Sequence, residues 1–175
     1  RTEFGSVKLT SKSRNALFFV LTLPCLLVYL SSLSYLNRNL KKPTLVRFEG
    51  AGAAQYFQVF GDCLVGADFV FTQRIRRPPG NPVNAMLSFG YQIVWNHLLA
   101  LIELQGLDPY QASLHQGNER HAALASDLIE EFRAPLVDSL VLWLVNKNAI
   151  DARQDFVYHD GGCYLNESGL DFSPG

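Results

Sequence analysis

Apolar positions are spread unevenly along this chain, and their spacing changes character several times. Residues 16–36, ALFFVLTLPCLLVYLSSLSYL, carry no charge and are followed by Arg38, Lys41 and Lys42, so the run is long enough to cross a hydrocarbon layer. Pro24 and the serines Ser31, Ser32 and Ser34 weaken such a span, and the rest of the chain reads as soluble, so a membrane is not an expected partner. A buried pair of short helices is one alternative for this run, and an irregular terminal segment from truncation or a shifted reading frame is another.

After Pro43 the pattern turns helical. EGAGAAQYFQVF, residues 49–60, is rich in small residues and ends in aromatics, which suits a short helix packed closely on a neighbour. FVFTQRIRRPPGNP, residues 69–82, sets Arg74, Arg76 and Arg77 before a double proline that cannot continue a helix, and reads as a basic loop. Asn81 is a cap and Pro82 a first-turn residue for the next helix, where Val83, Leu87, Val94, Leu98 and Leu101 recur at helical spacing. That helix is expected to run to about Leu104, before Gly106 stops it. A second long helical pattern starts near Ala122 and runs through LWLVNKNA, interrupted by Pro135, whose missing N–H should end or kink it. Beyond Asp155, FVYHDGGCYLN reads as short strands or turns.

Composition narrows the picture. With 175 residues, 48% of them hydrophobic, the chain can bury one core and forms one domain or a piece of one. The formal net charge of -1 supplies no long-range attraction for nucleic acid, so any such contact must come from a local cluster of Lys and Arg. Cys25, Cys63 and Cys163 are odd in number and form no C-x-x-C pair, which argues against a disulfide framework and a thiolate zinc site and for a reducing compartment. Residues 1–6, RTEFGS, read as a cloning scar.

The candidate chemistry lies in LHQGNERHAALASDLIEEFR, residues 114–133. On a helix Asp127, Glu130 and Glu131 share one side, beside an apolar stripe of Leu124, Leu128 and Phe132, so the acids should lie at the edge of the core. Spacing alone favours a solvated face with Arg133 as partner over a cation site. His115 is harder to dismiss, because the short Gly-containing loop after it could bring imidazole and carboxylate together. Mixed nitrogen and oxygen ligands suit manganese or magnesium. His121 and His159 are expected to face solvent.

Residues 74–143, from RIRRPPGNPVNAMLSFGYQIVWNHLL to DLIEEFRAPLVDSLVLW, resemble the catalytic domain of the CRISPR-associated endonuclease "Cas one", the integrase of spacer acquisition. EGAGAAQYF upstream and GGCYLNESG downstream carry the same likeness, so it covers roughly residues 49–169 in several ordered blocks. The resemblance implies an all-α catalytic domain over residues 48–175 that stops before the family's last helices. Residues 7–47 are expected to be a separate apolar N-terminal segment, with the family's amino-terminal β domain largely missing.

The family's metal ligands are a Glu, a His, and an Asp or Glu. Matched residue by residue, the His is His115 in SLHQ, the second acid of the D-x-x-E/D pair is Glu130, and Asp127 is its neighbour in the same site. The first ligand falls eight residues after the Phe of FGY, where this chain has His97. His97 shares a stripe with Val94 and Leu101 and is expected to face inward, either as a weakened ligand or as a satisfied core histidine. Arg74, Arg76 and Arg77 would bind DNA phosphates along the path to the metal.

The implied activity is that of a Mn2+- or Mg2+-dependent DNA endonuclease and integrase of CRISPR adaptation, part of antiviral defence in a prokaryotic cytoplasm. It would insert spacer DNA by 3′-hydroxyl attack on a phosphodiester. Expected partners are the spacer precursor and CRISPR repeat DNA, a second copy of the chain, and the family's small ferredoxin-like protein. The alternatives are a catalytically impaired helical module for DNA binding or dimerisation, because of His97, and a small membrane-anchored protein using residues 16–36.

Overall fold

The computed structural model describes residues 42–112 and 121–167. The apolar run at 16–36, the terminal scar and His115 lie outside the described residues. Among the described residues four helices, one π-helical turn and one β-hairpin follow in order: α1 (Lys42–Asp62), α2 (Pro82–Leu104), α3 (Ala123–Phe132), the π turn (Arg133–Asp138), α4 (Ser139–Asn146), β1 (Phe156–His159) and β2 (Gly162–Leu165). The protein is therefore helix-rich rather than strictly all-α. Helix α1 is longer than the short element expected over residues 49–60 and passes through residues 47 and 48 without a break.

Helix α2 has the ends its sequence predicts. The Asn81 side chain accepts from the Asn84 N–H at 2.9 Å, and Pro82 takes a position whose N–H would have had no helical partner. At the other end Gly106 adopts φ +69°, while Leu107 N–H donates to Ile102 O and Gly106 N–H to Glu103 O. That double bond pattern is a Schellman cap, which needs a left-handed residue at the glycine.

The burial of α2 changes along its length. Residues 82–87 are all buried, whereas Leu101 is 56% exposed and Ile102 is the buried residue of the last turns. The expected stripe therefore holds at Val83 and Leu87, thins at half-buried Val94 and Leu98, and passes to Ile102 instead of Leu101. Among the described residues α2 alone is long and apolar enough to cross a membrane.

The main core joins the end of α1, the first half of α2, α4 and the hairpin, with Phe60, Phe71, Val83, Leu87, Val141, Val145, Phe156 and Cys163 buried together. Phe57, Phe60 and Phe71 interlock, with Phe60 and Phe71 edge to face at 5.4 Å between centroids. A smaller cluster of Ile102, Ala122 and Ala125, flanked by Trp95 and Leu98, joins the second half of α2 to α3. Gly90 lets α2 approach the π turn, because a Cβ there would lie 2.6 Å from Val137 Cγ1.

Pro135 neither ends the helix nor simply kinks it. The chain widens into the π turn, and Ser139 N–H reaches back to Ala134 O. The Ser139 hydroxyl donates to Pro135 O at 2.6 Å, so the local loss of regular pairing is met by a side chain. The strand-like reading of residues 156–166 is a hairpin in which His159 pairs with Gly162 across Asp160 and Gly161, at φ 50° and 75°. Positive φ at both turn residues is what Asp-Gly supplies in a two-residue hairpin loop. Cys163 N–H anchors the hairpin to Pro79 O at 2.8 Å.

Candidate functional site

The basic loop sends its three arginines to different places. Arg74 turns inward, where Nη1 donates to Ile75 O at 2.7 Å and Asn84 Oδ1 at 2.9 Å, and Nη2 donates to Ser88 Oγ at 2.9 Å. Fully buried Asn84 completes the clamp by accepting from Ile75 N–H and donating to Gln73 O. Burial lowers the Arg74 guanidinium to about 10, and the charges of Arg76 and Arg133 act in the same direction. Arg74 thus fastens the loop to α2, which departs from its expected place on an open phosphate path. Arg76 and Arg77 are exposed. They border a cleft of about 540 Å³ with Pro78, Ser88, Phe89 and Tyr164.

Beside Arg74 lies a polar knot that the sequence reading missed. Asp138, 1% exposed, accepts hydrogen bonds from the hydroxyls of Tyr56 on α1 and Tyr91 on α2, the latter at 2.5 Å. Burial pushes the Asp138 carboxyl up, while the two tyrosines and the charges of Arg133 and Arg74 favour its ionised form. The same burial, with the Asp138 charge, pushes both tyrosine hydroxyls up. The guanidinium carbons of Arg74 and Arg133 lie over the Tyr91 ring at 5.4 Å and 5.1 Å. A lone acid in the apolar run LVDSLVLW was the available signal: only a position with partners from other helices would tolerate it.

Asp127 and Glu130 are both half-buried on α3, one turn apart, while Glu131 is exposed. The acids do lie at the edge of a core, but the stripe beneath them is made differently from the expected one. Ala123, Ser126 and Ile129 are buried, whereas Leu128 and Phe132 are 37% and 38% exposed. Arg133 Nη1 pairs with Glu130, at 2.8 Å from Oε1 and 3.1 Å from Oε2. This is the arginine partner that the spacing anticipated.

His97 does not face inward. Its side chain is exposed, and Nδ1 contacts Ile93 O at 2.8 Å, an arrangement that leaves Nε2 as the free ring nitrogen. Helix α2 turns its buried residues away from this face, which explains the departure. His121 is exposed as expected, yet its ring stacks on Trp95 at 6.0 Å and Nε2 lies 2.9 Å from Ser126 Oγ. His159 is also exposed, stacked on Tyr164 at 4.3 Å. Among the described residues no three His, Cys, Asp or Glu gather closely enough to hold a metal ion. Asp127 and Glu130 stand one turn apart on α3, both half-buried. Two carboxylates one turn apart fit part of the ligand set of a hard divalent cation.

A helix-rich scaffold with two half-buried acids on one helix and exposed arginines on a loop is compatible with a nucleic-acid-processing domain, and comparison with known proteins makes the class specific. The family described as CRISPR associated protein Cas1 matches residues 28–171. A CRISPR-associated exonuclease Cas4/endonuclease Cas1 fusion of Geobacter sulfurreducens is 43% identical over 129 residues, covering 71% of this chain and 23% of that protein. A CAS1 protein from Thermotoga maritima superposes with a TM-score of 0.73 at 28% identity, covering 91% of this chain and 52% of that one. A casposase bound to integration product has a TM-score of 0.70 at 26% identity, over 90% of this chain and 48% of the casposase. The chain belongs to the Cas1 family, and it spans about a quarter to a half of these proteins.

Proposed function

We propose that this chain carries the catalytic region of a metal-dependent DNA endonuclease and integrase of CRISPR adaptation. The observation that carries the reading is the half-buried Asp127 and Glu130 pair on α3, in a chain that matches the Cas1 family over residues 28–171. Asp127, Glu130 and His115 would hold Mn2+ or Mg2+, with His97 offering Nε2 where the family has Glu. When bound, the ion supplies Lewis-acid stabilisation of the attacked phosphate and lowers the pKa of the attacking 3′-hydroxyl or water.

The chain's own residues perform the remaining work. Arg76 and Arg77 bind backbone phosphates and bring a spacer DNA end across the cleft towards α3, giving salt-dependent affinity with little sequence preference. Arg74 keeps that loop in place through Asn84 and Ser88. The Asp138 knot ties α1 and α2 to the π turn, so that α3 enters the site at a fixed position. The DNA partner is in keeping with the casposase relative bound to integration product. A second copy of the chain, the family's small ferredoxin-like protein and a prokaryotic cytoplasmic setting complete the proposal.

Mn2+-dependent cleavage or strand transfer on branched DNA is the test. Glu130→Ala and His115→Ala should each abolish it, and activity unchanged by both would remove these residues from the mechanism. The exposure of His97, outside any three-residue ligand group among the described residues, favours a second reading. In that reading the chain is a catalytically impaired helical module for DNA binding or dimerisation. Calorimetric titration separates the two, since an impaired site binds no Mn2+ above background.

A further inference from the structure

We propose that Arg133 is a built-in counter-cation of Glu130, competing with the divalent ion for the same carboxylate oxygens; this rests on the reading of Glu130 as a metal ligand. The geometry of the pair sets it apart from a structural ion pair. Structural arginines frequently match their fork to both carboxylate oxygens through two parallel N–H donors. Here the single atom Nη1 bridges both oxygens, at 2.8 Å and 3.1 Å. Meanwhile Arg133 Nε is buried without a hydrogen-bond partner. Among the described residues the Arg133 side chain donates to Glu130 alone, and it does so through Nη1, so most of its donors are uncommitted.

Arg74 shares the unpartnered Nε, and the contrast lies at the Nη atoms, because Asn84, Ser88 and Ile75 together hold both of those of Arg74. Arg133 also has somewhere to go. Its guanidinium already lies over the Tyr91 ring at 5.1 Å, and the buried acid Asp138 is bound to that tyrosine's hydroxyl. A cation arriving at Glu130 would repel the guanidinium, while the negative face of the ring and the acid behind it attract it. Arg133 thereby neutralises Glu130 in the metal-free protein and sets a threshold concentration for metal binding.

The test is titration of the full chain with Mn2+ alone, following the free ion by electron paramagnetic resonance. Arg133→Gln should tighten Mn2+ binding about tenfold, the scale of removing one nearby positive charge from a partly solvated site. Arg133→Lys, which restores the charge, should bind within about threefold of the parent by the same electrostatic argument. Glu130→Gln should weaken binding by about tenfold or more. A merely structural arginine would give weaker or unaltered binding on removal, so a gain is the distinguishing result. If Arg133→Gln does not tighten binding while Glu130→Gln weakens it, the competition is refuted and the ligand assignment stands. If Glu130→Gln binds like the parent, the ligand assignment is lost and the competition goes with it.

Discussion

Asp138 and Glu130 lie eight residues apart on one helical segment, each has arginine nearby, and they meet opposite fates. Asp138 is 1% exposed and receives two tyrosine hydroxyls from two other helices. Glu130 is half-buried, and it pairs with Arg133, three residues on in the same helical segment. The difference teaches that burial with several long-range partners converts a carboxylate into a structural fastener. A carboxylate at the edge of a core, paired with an adaptable cation from its own helical segment, stays closer to solvent and to arriving ligands.

The largest expected separation between the two is in stability. Asp138→Ala strands two buried hydroxyls and removes the negative charge facing Arg74 and Arg133, and should cost about 3–5 kcal/mol in urea denaturation. Glu130→Gln should change stability by less than about 1 kcal/mol, the range of a partly exposed ion pair. Equal costs at both positions would erase the distinction.

Close packing beneath the knot gives the next effect. Gly90→Ala forces a methyl against Val137 on the π turn and should cost about 1–3 kcal/mol, read as a lowered urea midpoint.

Tyr91→Phe sharpens the account of the knot itself, with an expected loss of about 1–2 kcal/mol at neutral pH. Its alkaline behaviour adds a sign. The folded-state pKa of Tyr56 and Tyr91 is raised, so their contribution is complete below the ordinary tyrosine pKa of about 10 and is lost as pH rises beyond it. Above that point the unfolded chain releases protons that the folded chain keeps, and stability falls by about 1.4 kcal/mol per pH unit for each tyrosine. Tyr91→Phe should flatten the slope by about one such increment.

The two exposed arginines of the loop give the smallest stability effects, and the loop shows the clearest division of labour. Arg76→Gln and Arg77→Gln should leave stability within about 0.5 kcal/mol and each reduce the salt dependence of DNA binding by about one unit of slope. Arg74→Gln should instead lower stability, by about 1–3 kcal/mol, because it leaves Asn84 and Ser88 without their shared partner.

The sequence made much of this legible where local chemistry decides. Asn81, Pro82 and Gly106 marked both ends of α2, and FVYHDGGCYLN read as short strands or turns, because caps and turns depend on residues within a few positions of one another. Asp127, Glu130 and Arg133 were legible as neighbours for the same reason. The orientation of Arg74 and His97 was not. Arg74 is captured by Asn84 and Ser88, 10 and 14 residues away, and Asp138 by Tyr56 and Tyr91, 82 and 47 residues away. Such partnerships depend on how helices pack, which apolar periodicity on one helix leaves open. Pro135 is an intermediate case: the disturbance was legible, but its form as a π turn depended on the Ser139 hydroxyl reaching Pro135 O.

Mn2+ titration of Glu130→Gln beside Asp138→Asn, at a temperature where both are folded, tests the central claim most directly. The account predicts that Asp138→Asn binds the ion like the parent and that Glu130→Gln binds it about tenfold or more weakly. Binding retained in Glu130→Gln and lost in Asp138→Asn would place the cation at the buried knot and contradict the account.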